Sequence, residues 1–223
     1  MRSIAIDGPS GAGKTTTAKA LARELGFLYV DTGAIYRVVG LYVNRKGVDP
    51  HDAGAVTALL PEIEIGLRHG KDGAQIMLLG HEDVTQVIRA SEISRFASAV
   101  SAIPEVRAYL MEMQRSLARA HDVVMDGRDI GTVVLPDADL KIFLTAAPGK
   151  RAERRYKELL ERGAGTDYET VLKELSERDA NDCGRAAAPL RQAPDALLVD
   201  TGELTFEETV SLLARIARER LGL

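Results

Sequence analysis

Only one cysteine, Cys183, occurs in the 223 residues, tryptophan is absent, and the ring residues are six tyrosines and four phenylalanines. A lone cysteine builds neither a disulfide framework nor a zinc site, so a reducing cytoplasm is the expected home. No apolar run approaches the roughly 20 residues that a membrane span requires. The opening stretch Met1–Asp7 carries a single arginine and too few apolar residues for a secretory signal, and it reads as a strand. Basic residues are not in surplus: the formal net charge is −4. That balance argues against a general coat for nucleic acid, yet leaves open anionic small molecules, which respond to local arginines. Internal repeats, low-complexity tracts and a clear interdomain linker are also missing. Nothing demands a partner chain, so a monomer is expected.

Against these absences stands a hydrophobic fraction of 45%, enough to argue against disorder. The length suits one domain with an insert, or two small ones. Short apolar runs alternate with amphipathic segments. Ser3–Ile6, Phe27–Val30, Val123–Met125, Leu140–Leu144 and Ala196–Val199 read as strands, and their nearly continuous apolar character suits a parallel sheet covered on both faces. Helical spacing relates Ala18, Leu21, Ala22 and Leu25, with Gly26 as a left-handed stop. Pro104–Ala120, Pro148–Arg162, Tyr168–Asn181 and Phe206–Leu221 are further helices. The pattern is that of an α/β sandwich with right-handed crossovers. Glu62–Asp83 breaks the rhythm with alternating apolar residues around a Gly70–Gly73 turn, which predicts a hairpin. Leu41–Ala99 therefore reads as an insert with its own small antiparallel sheet.

Directly after the first strand come Gly8, Pro9, Ser10, Gly11, Ala12, Gly13, Lys14 and Thr15, a G-x-x-x-x-G-K-T loop that opens a helix. Its glycines let amide hydrogens turn inward around polyphosphate oxygens. Lys14 can reach the β and γ phosphates, and the Thr15 hydroxyl can touch Mg²⁺. A nucleoside triphosphate is the implied ligand.

Arginines cluster downstream. Arg37 follows the second strand, and Arg128 follows the third within Asp126-Gly127-Arg128-Asp129. Strand carboxyl ends are where open parallel sheets bind ligands. Arg37 taken singly also fits a solvated helix position. Arg178, Asp182 and Arg185 share one helix face if the helix persists past Gly184; they read equally as a nucleotide-binding row or as a surface pair. Arg151, Arg154 and Arg155 are either solubilising charges or cations for the transferring phosphoryl group. No Ser–His–Asp set or paired carboxylates can be found, and His51, His69, His81 and His121 fall outside every block, as structural or solvated residues.

Four blocks taken together, Gly8–Thr16, "DTGAIYR" at Asp31–Arg37, "DGRDIGTVV" at Asp126–Val134 and "RDxxDxxRxxxPL" at Arg178–Leu190, resemble the bacterial cytidylate kinases in order over nearly the whole chain. The resemblance implies a P-loop kinase core with a five-stranded parallel sheet flanked by helices, and transfer of the ATP γ-phosphoryl group to CMP or dCMP with Mg²⁺. It implies that Gly8–Thr16, including Thr16, hold ATP. Thr32, Arg37 and Arg128 would hold the acceptor phosphate, and Ser98, Arg107 and Asp129 the cytosine. Arg178, Asp182 and Arg185 would hold ribose and phosphate, while Lys14, Arg128, Arg151 and Arg155 would serve catalysis. Residues 41–99 would form the monophosphate-binding insert and 145–182 a mobile lid. Two departures stand out: Thr32 occupies a position where relatives often have serine, and Asn181 and Cys183 make the "RDANDCGR" block poorer in charge. Cys183 reads as a small buried or lid residue, without a catalytic role.

The base preference has a chemical reason. A carboxylate accepts from the exocyclic amine of cytosine and faces a carbonyl in uracil, a buried mismatch that discriminates strongly. An alcohol acceptor such as shikimate would instead need a carboxylate base, for which Asp31 or Asp126 are the candidates, and UMP or dTMP are further acceptors for the same fold. A regulatory nucleotide switch is a different reading, but no N-K-x-D block for guanine is present.

Overall fold

The computed structural model describes residues 1–70, 73–161, 163 and 165–223. Lys71 and Asp72, inside the Gly70–Gly73 turn, and Arg162, the end of the Pro148–Arg162 helix, lie outside the described residues, as does Ala164.

The elements run β1 (Ser3–Asp7), α1 (Lys14–Leu25), β2 (Leu28–Asp31), α2 (Thr32–Arg45), α3 (Ala53–Leu59), β3 (Ile65–His69), β4 (Gln75–Leu79), β5 (Glu82–Asp83), α4 (Ser91–Val100), α5 (Pro104–Ala120), β6 (Val123–Asp126), β7 (Leu140–Thr145), α6 (Pro148–Glu161), α7 (Tyr168–Gly184), β8 (Leu197–Asp200) and α8 (Phe206–Leu221). The main sheet is five-stranded in the order β2-β6-β1-β7-β8, and β3-β4-β5 form a separate sheet. The five predicted strands and the hairpin are therefore all present. Boundaries move by about a residue, because each strand ends in a polar residue that still pairs, as Asp7 does with Phe143.

Two compact units divide the chain, one made of Leu28–Val123 with Met1, the other of Arg2–Phe27 and Val124–Leu223. In the first, α2 begins where the Asp31 carboxylate accepts the Ala34 N–H at 2.9 Å, an N-cap that satisfies an otherwise orphaned donor. Its apolar face, Ile35, Val38, Val39 and Val43, is fully buried. Gly40 lets α4 come close: a Cβ there would stand 2.8 Å from the Ala97 nitrogen. β3 and β4 pair antiparallel with His69 opposite Gln75, and Gly73, at φ 74°, takes the left-handed conformation the turn needs. The short β5 adds a third strand that the alternation alone did not announce.

In the second unit, Ile6 lies beside Ile142 and Leu144 beside Val199, all buried. α1 stops at Gly26, whose φ of 70° is the left-handed cap expected from sequence. α8 starts with a capping box between Thr205 and Glu208. α6 and α7 carry a small core of their own, Ala152, Val171 and Leu175, with Leu159 and Leu172 packed against it. Tyr156 and Tyr168 meet edge to face at 6.3 Å between centroids. α7 runs past Asn181 to Gly184, so Arg178 and Asp182 are helical while Arg185, at ψ 135°, has left the helix. Cys183 is exposed there, not buried. No helix among the described residues is long and apolar enough to cross a membrane.

The Gly40 contact yields a direct check. In an ordinary helix Gly→Ala stabilises by up to about 1 kcal/mol, but here the added methyl meets the α4 backbone. Gly40→Ala is expected to lower stability by about 1–3 kcal/mol in thermal or urea unfolding; a higher melting temperature would show that α2 and α4 can separate without loss.

Candidate active site

The phosphate loop is shaped by the sheet beneath it. A Cβ on Gly8 would fall 2.0 Å from the Leu144 carbonyl oxygen, and one on Gly11 would lie 3.0 Å from Arg151, so only glycine allows the chain this close. Gly11 and Gly13 take φ of 76° and 82°, and Gly13 is the N-cap of α1. Lys14, the first helical residue, is buried and donates to the Pro9 carbonyl at 2.7 Å. Thr15 donates its hydroxyl proton to Asp126 Oδ2 at 3.1 Å, whereas Thr16 donates to the Gly13 carbonyl.

Around Lys14 the same unit gathers charge. Burial pulls the Lys14 ammonium well below the ordinary lysine range, and the positive charges of Arg128 and Arg178 push it further, with Asp126 and Asp182 opposing. Arg128 Nε donates to Asp182 Oδ2 at 2.7 Å, and Arg185 bonds the other oxygen of that carboxylate. Burial favours the neutral acid, but Arg128, Arg185 and Arg178 hold Asp182 below the usual carboxylate value. Burial likewise opposes the charge on Arg128, and Asp182, with Asp126 and Asp179, more than offsets it. The Arg178–Asp182–Arg185 row is thus a partly buried cluster centred on the buried Asp182 and not a surface pair.

Arg151 is 6% exposed and fully engaged. It donates to the Ala146 carbonyl at 2.9 Å, to the Ser10 carbonyl in the phosphate loop at 3.0 Å, and to Asp179 at 2.5 Å. Arg154 turns to Thr201, and Arg155 pairs with Glu158 on its own helix. Asp129 is buried immediately before a wide helical turn at Ile130–Val134.

In the other unit, Thr32 is buried at the first position of α2. Arg37 donates to the Ile88 carbonyl at 3.1 Å and to Ser94 Oγ at 2.5 Å, so it is tied to neighbouring elements. Arg107 is buried, donates to the Ser101 carbonyl at 3.3 Å and stacks 5.6 Å from the Tyr36 ring centroid. Ser101 in turn donates to the Ser98 carbonyl at 2.8 Å, which joins Ser98 and Arg107 in one local network.

Several participants escaped the sequence reading. Asp7 accepts the Ile130 and Gly131 amides at 2.8 and 2.7 Å; its place at the end of β1, just ahead of the loop, was the only available signal. Asp179 lay within a quoted block but carried no role there. Tyr36 too lay within a quoted block without a role; Gln75 and Arg89 had no signal because their partner Asp31 is distant in sequence, and Ser101 had none although Ser98 and Arg107 are near it.

Burial pushes the Asp7 carboxyl up to about 6 from an ordinary 3.8, helped by Asp129 and opposed by the two amides and Lys14. A raised native value means the folded state holds the proton more tightly, so Asp7 favours folding below about 4, and that contribution fades as pH rises towards 6. The interval corresponds to roughly 3 kcal/mol at most. Relative to Asp7→Asn, wild-type stability is expected to fall between pH 4 and pH 6 and then level off. Parallel pH–stability curves for the two proteins would refute this assignment. At the loop itself, Gly8→Ala is expected to abolish ATP binding in a calorimetric titration.

Comparison with known proteins gives one consistent answer. Residues 4–219 match the family model for cytidylate kinase. A cytidylate kinase from Caldicellulosiruptor bescii is 50% identical over 207 residues, covering 93% of this chain and 91% of that one. The cytidylate kinase of Pelotomaculum thermopropionicum is 48% identical over 218 residues, with 97% and 96% covered. A solved structure of an uncharacterized protein from Eubacterium ventriosum shares the fold at a TM-score of 0.53 and 14% identity, covering 97% of this chain and 98% of its own. With a matching model along nearly its whole length and close relatives of the same description, the chain belongs to the cytidylate kinase family.

Proposed function

We propose that the protein transfers the γ-phosphoryl group of ATP to CMP or dCMP, giving ADP and the corresponding diphosphate. Family membership makes it an ATP-dependent phosphotransferase. The observation that carries the residue assignment is the buried positive charge at the phosphate loop: Lys14 is held with Arg128 and Arg178 in a setting that depresses its own proton affinity. Such an arrangement is costly for a protein on its own and favourable beside a polyanion.

In this reading Gly8–Thr16 hold ATP, with loop amides and Lys14 on its phosphates. Thr32 and Arg37 bind the acceptor phosphate together with Arg128. Ser98 and Arg107 take part in cytosine binding, and Asp129 accepts from the exocyclic amine. Arg178, Asp182 and Arg185 bind ribose and phosphate. Arg151 acts by fixing the phosphate loop through Ser10 as well as by its charge, and Arg155 is available once it leaves Glu158. Residues 41–99 serve as the monophosphate-binding insert, and 145–182 as a lid that excludes water.

Mg²⁺ would accompany ATP in this reading. No group of three or more His, Cys, Asp or Glu among the described residues could hold a metal ion by itself. The Thr15 hydroxyl and Asp126, 3.1 Å apart, are the hard oxygens fit to contact it. Bound there, Mg²⁺ would screen charge on the β and γ phosphates.

No general base is needed. The second pKa of a phosphate monoester is about 6, so the attacking oxygen is mostly ionised at neutral pH. Asp31 and Asp126, the carboxylates an alcohol acceptor would require, are occupied in capping α2 and in accepting from Thr15. Catalysis reduces to alignment and to neutralising repulsion between two anions.

Asp129→Ala tests the base assignment. The kcat/KM for CMP is expected to fall by about two orders of magnitude, and the preference for CMP over UMP to collapse, while calorimetric ATP affinity stays unchanged. Retained discrimination would show that cytosine is read elsewhere.

A further inference from the structure

β2 is the last strand of the main sheet, and its outer backbone edge lacks a neighbouring strand. Backbone groups of alternate residues point to opposite sides of a strand. The Leu28 amide donates to the Asp122 carbonyl, so Leu28 and Val30 face inward and Tyr29 and Asp31 face the open edge. An uncovered edge is unfavourable if buried and a liability if exposed.

Two side chains cover it. His69 Nε2 lies 2.8 Å from the Tyr29 carbonyl, which can only accept, so that nitrogen carries the proton. Gln75 Oε1 accepts the Asp31 amide at 2.8 Å, and Gln75 Nε2 donates to the Asp31 carbonyl at 3.1 Å. The remaining Nε2 hydrogen points to Met77 Sδ at 3.0 Å, which accounts for every polar atom of the amide. Gln75 thus imitates the peptide group of a neighbouring strand. His69 and Gln75 are, moreover, directly opposed in the β3–β4 register, so one cross-strand pair makes all three bonds.

Its target is well placed. Asp31 is 5% exposed, caps α2 through Ala34, and meets Arg89 at 3.0 Å. The next residue is Thr32, also buried, and one turn later on the same helix comes Arg37. Fixing both backbone groups of Asp31 therefore fixes the first turn of α2, where the proposed acceptor-phosphate ligands begin.

We infer that His69 and Gln75 are positioning residues for the acceptor phosphate: they hold the outer edge of β2 at Tyr29 and Asp31, and through Asp31 they set the orientation of Thr32 and the start of α2. The inference rests on the reading of Thr32 as an acceptor ligand, so the experiment carries a control for it. Steady-state kinetics would compare Gln75→Leu, His69→Leu, His69→Gln and Thr32→Val with the wild type.

Gln75→Leu removes three hydrogen bonds at nearly constant volume. It is expected to raise the KM for CMP about tenfold while the KM for ATP moves less than twofold. His69→Leu shifts the CMP value in the same direction, and His69→Gln, which keeps a donor at similar reach, restores it. A purely structural role would instead lower the melting temperature and leave the ratio of the two KM values unchanged, which would overturn the inference. Equal values for His69→Leu and His69→Gln would do so as well. If Thr32→Val raises the CMP value and Gln75→Leu does not, the clamp alone fails. If Thr32→Val has no effect, the acceptor reading fails and the clamp falls with it.

Discussion

Positive charge gathered in a confined, poorly solvated place is the constraint that organises the second unit. Lys14, Arg128 and Arg178 repel one another there, and burial strengthens the repulsion because little water screens it. Asp182 is the counterweight, gripping Arg128 on one oxygen and Arg185 on the other. Asp126 opposes the same repulsion at Lys14, and in the proposed reading a bound phosphate chain would add negative charge there. Breaking up such a cluster leaves a buried charge without a partner, which is more damaging than the net worth of the pair suggests. The position of Asp182 near the end of α7 therefore matters as much as its charge.

Much of this was readable beforehand, and what was missed shares a cause. The five main strands were visible because strands buried on both faces must be apolar throughout, as Val123, Val124 and Met125 are. α5 and α8 were bounded correctly because their ends carry local signals, Pro104 at one start and the Thr205–Glu208 box at the other. The phosphate loop is likewise a local device. By contrast, the partners of Arg151 are Ser10 and Asp179, far away along the chain, and spacing contains no trace of either. The continuity of α7 past Asn181 was obscured by Gly184, a weak helix former that here simply takes the last helical position. Of the two readings of Cys183, a small buried residue or a lid residue, burial does not hold, because Cys183 is exposed near the end of α7. Gln75 is a polar residue in an otherwise apolar strand, which reads as an edge position until its bonds to Asp31 are seen.

The two units divide the chemistry between them in sequence. Of the proposed site residues, Leu28–Val123 holds Thr32, Arg37, Ser98 and Arg107, while the rest of the chain holds Gly8–Thr16 and the arginines around Asp182. The segments proposed to carry phosphate ligands in the first unit are fixed by side-chain bonds, as with Arg37 on Ser94 and Ile88. Those of the second are fixed mainly by close backbone packing and buried ion pairs. Substitutions in the first unit should thus act through local geometry, and substitutions in the second through charge as well.

The approach of Gly8 to Leu144 has a consequence for ligand capture. Because a bare Cα rests against that carbonyl, the bend entering the loop follows the path of β7. The curvature of the amide cradle is consequently a property of the sheet rather than something an arriving anion must impose. In the proposed reading of Gly8–Thr16 as the ATP loop, affinity for the donor then escapes the entropic penalty of ordering a floppy turn, and a single methyl group at residue 8 would remove that advantage.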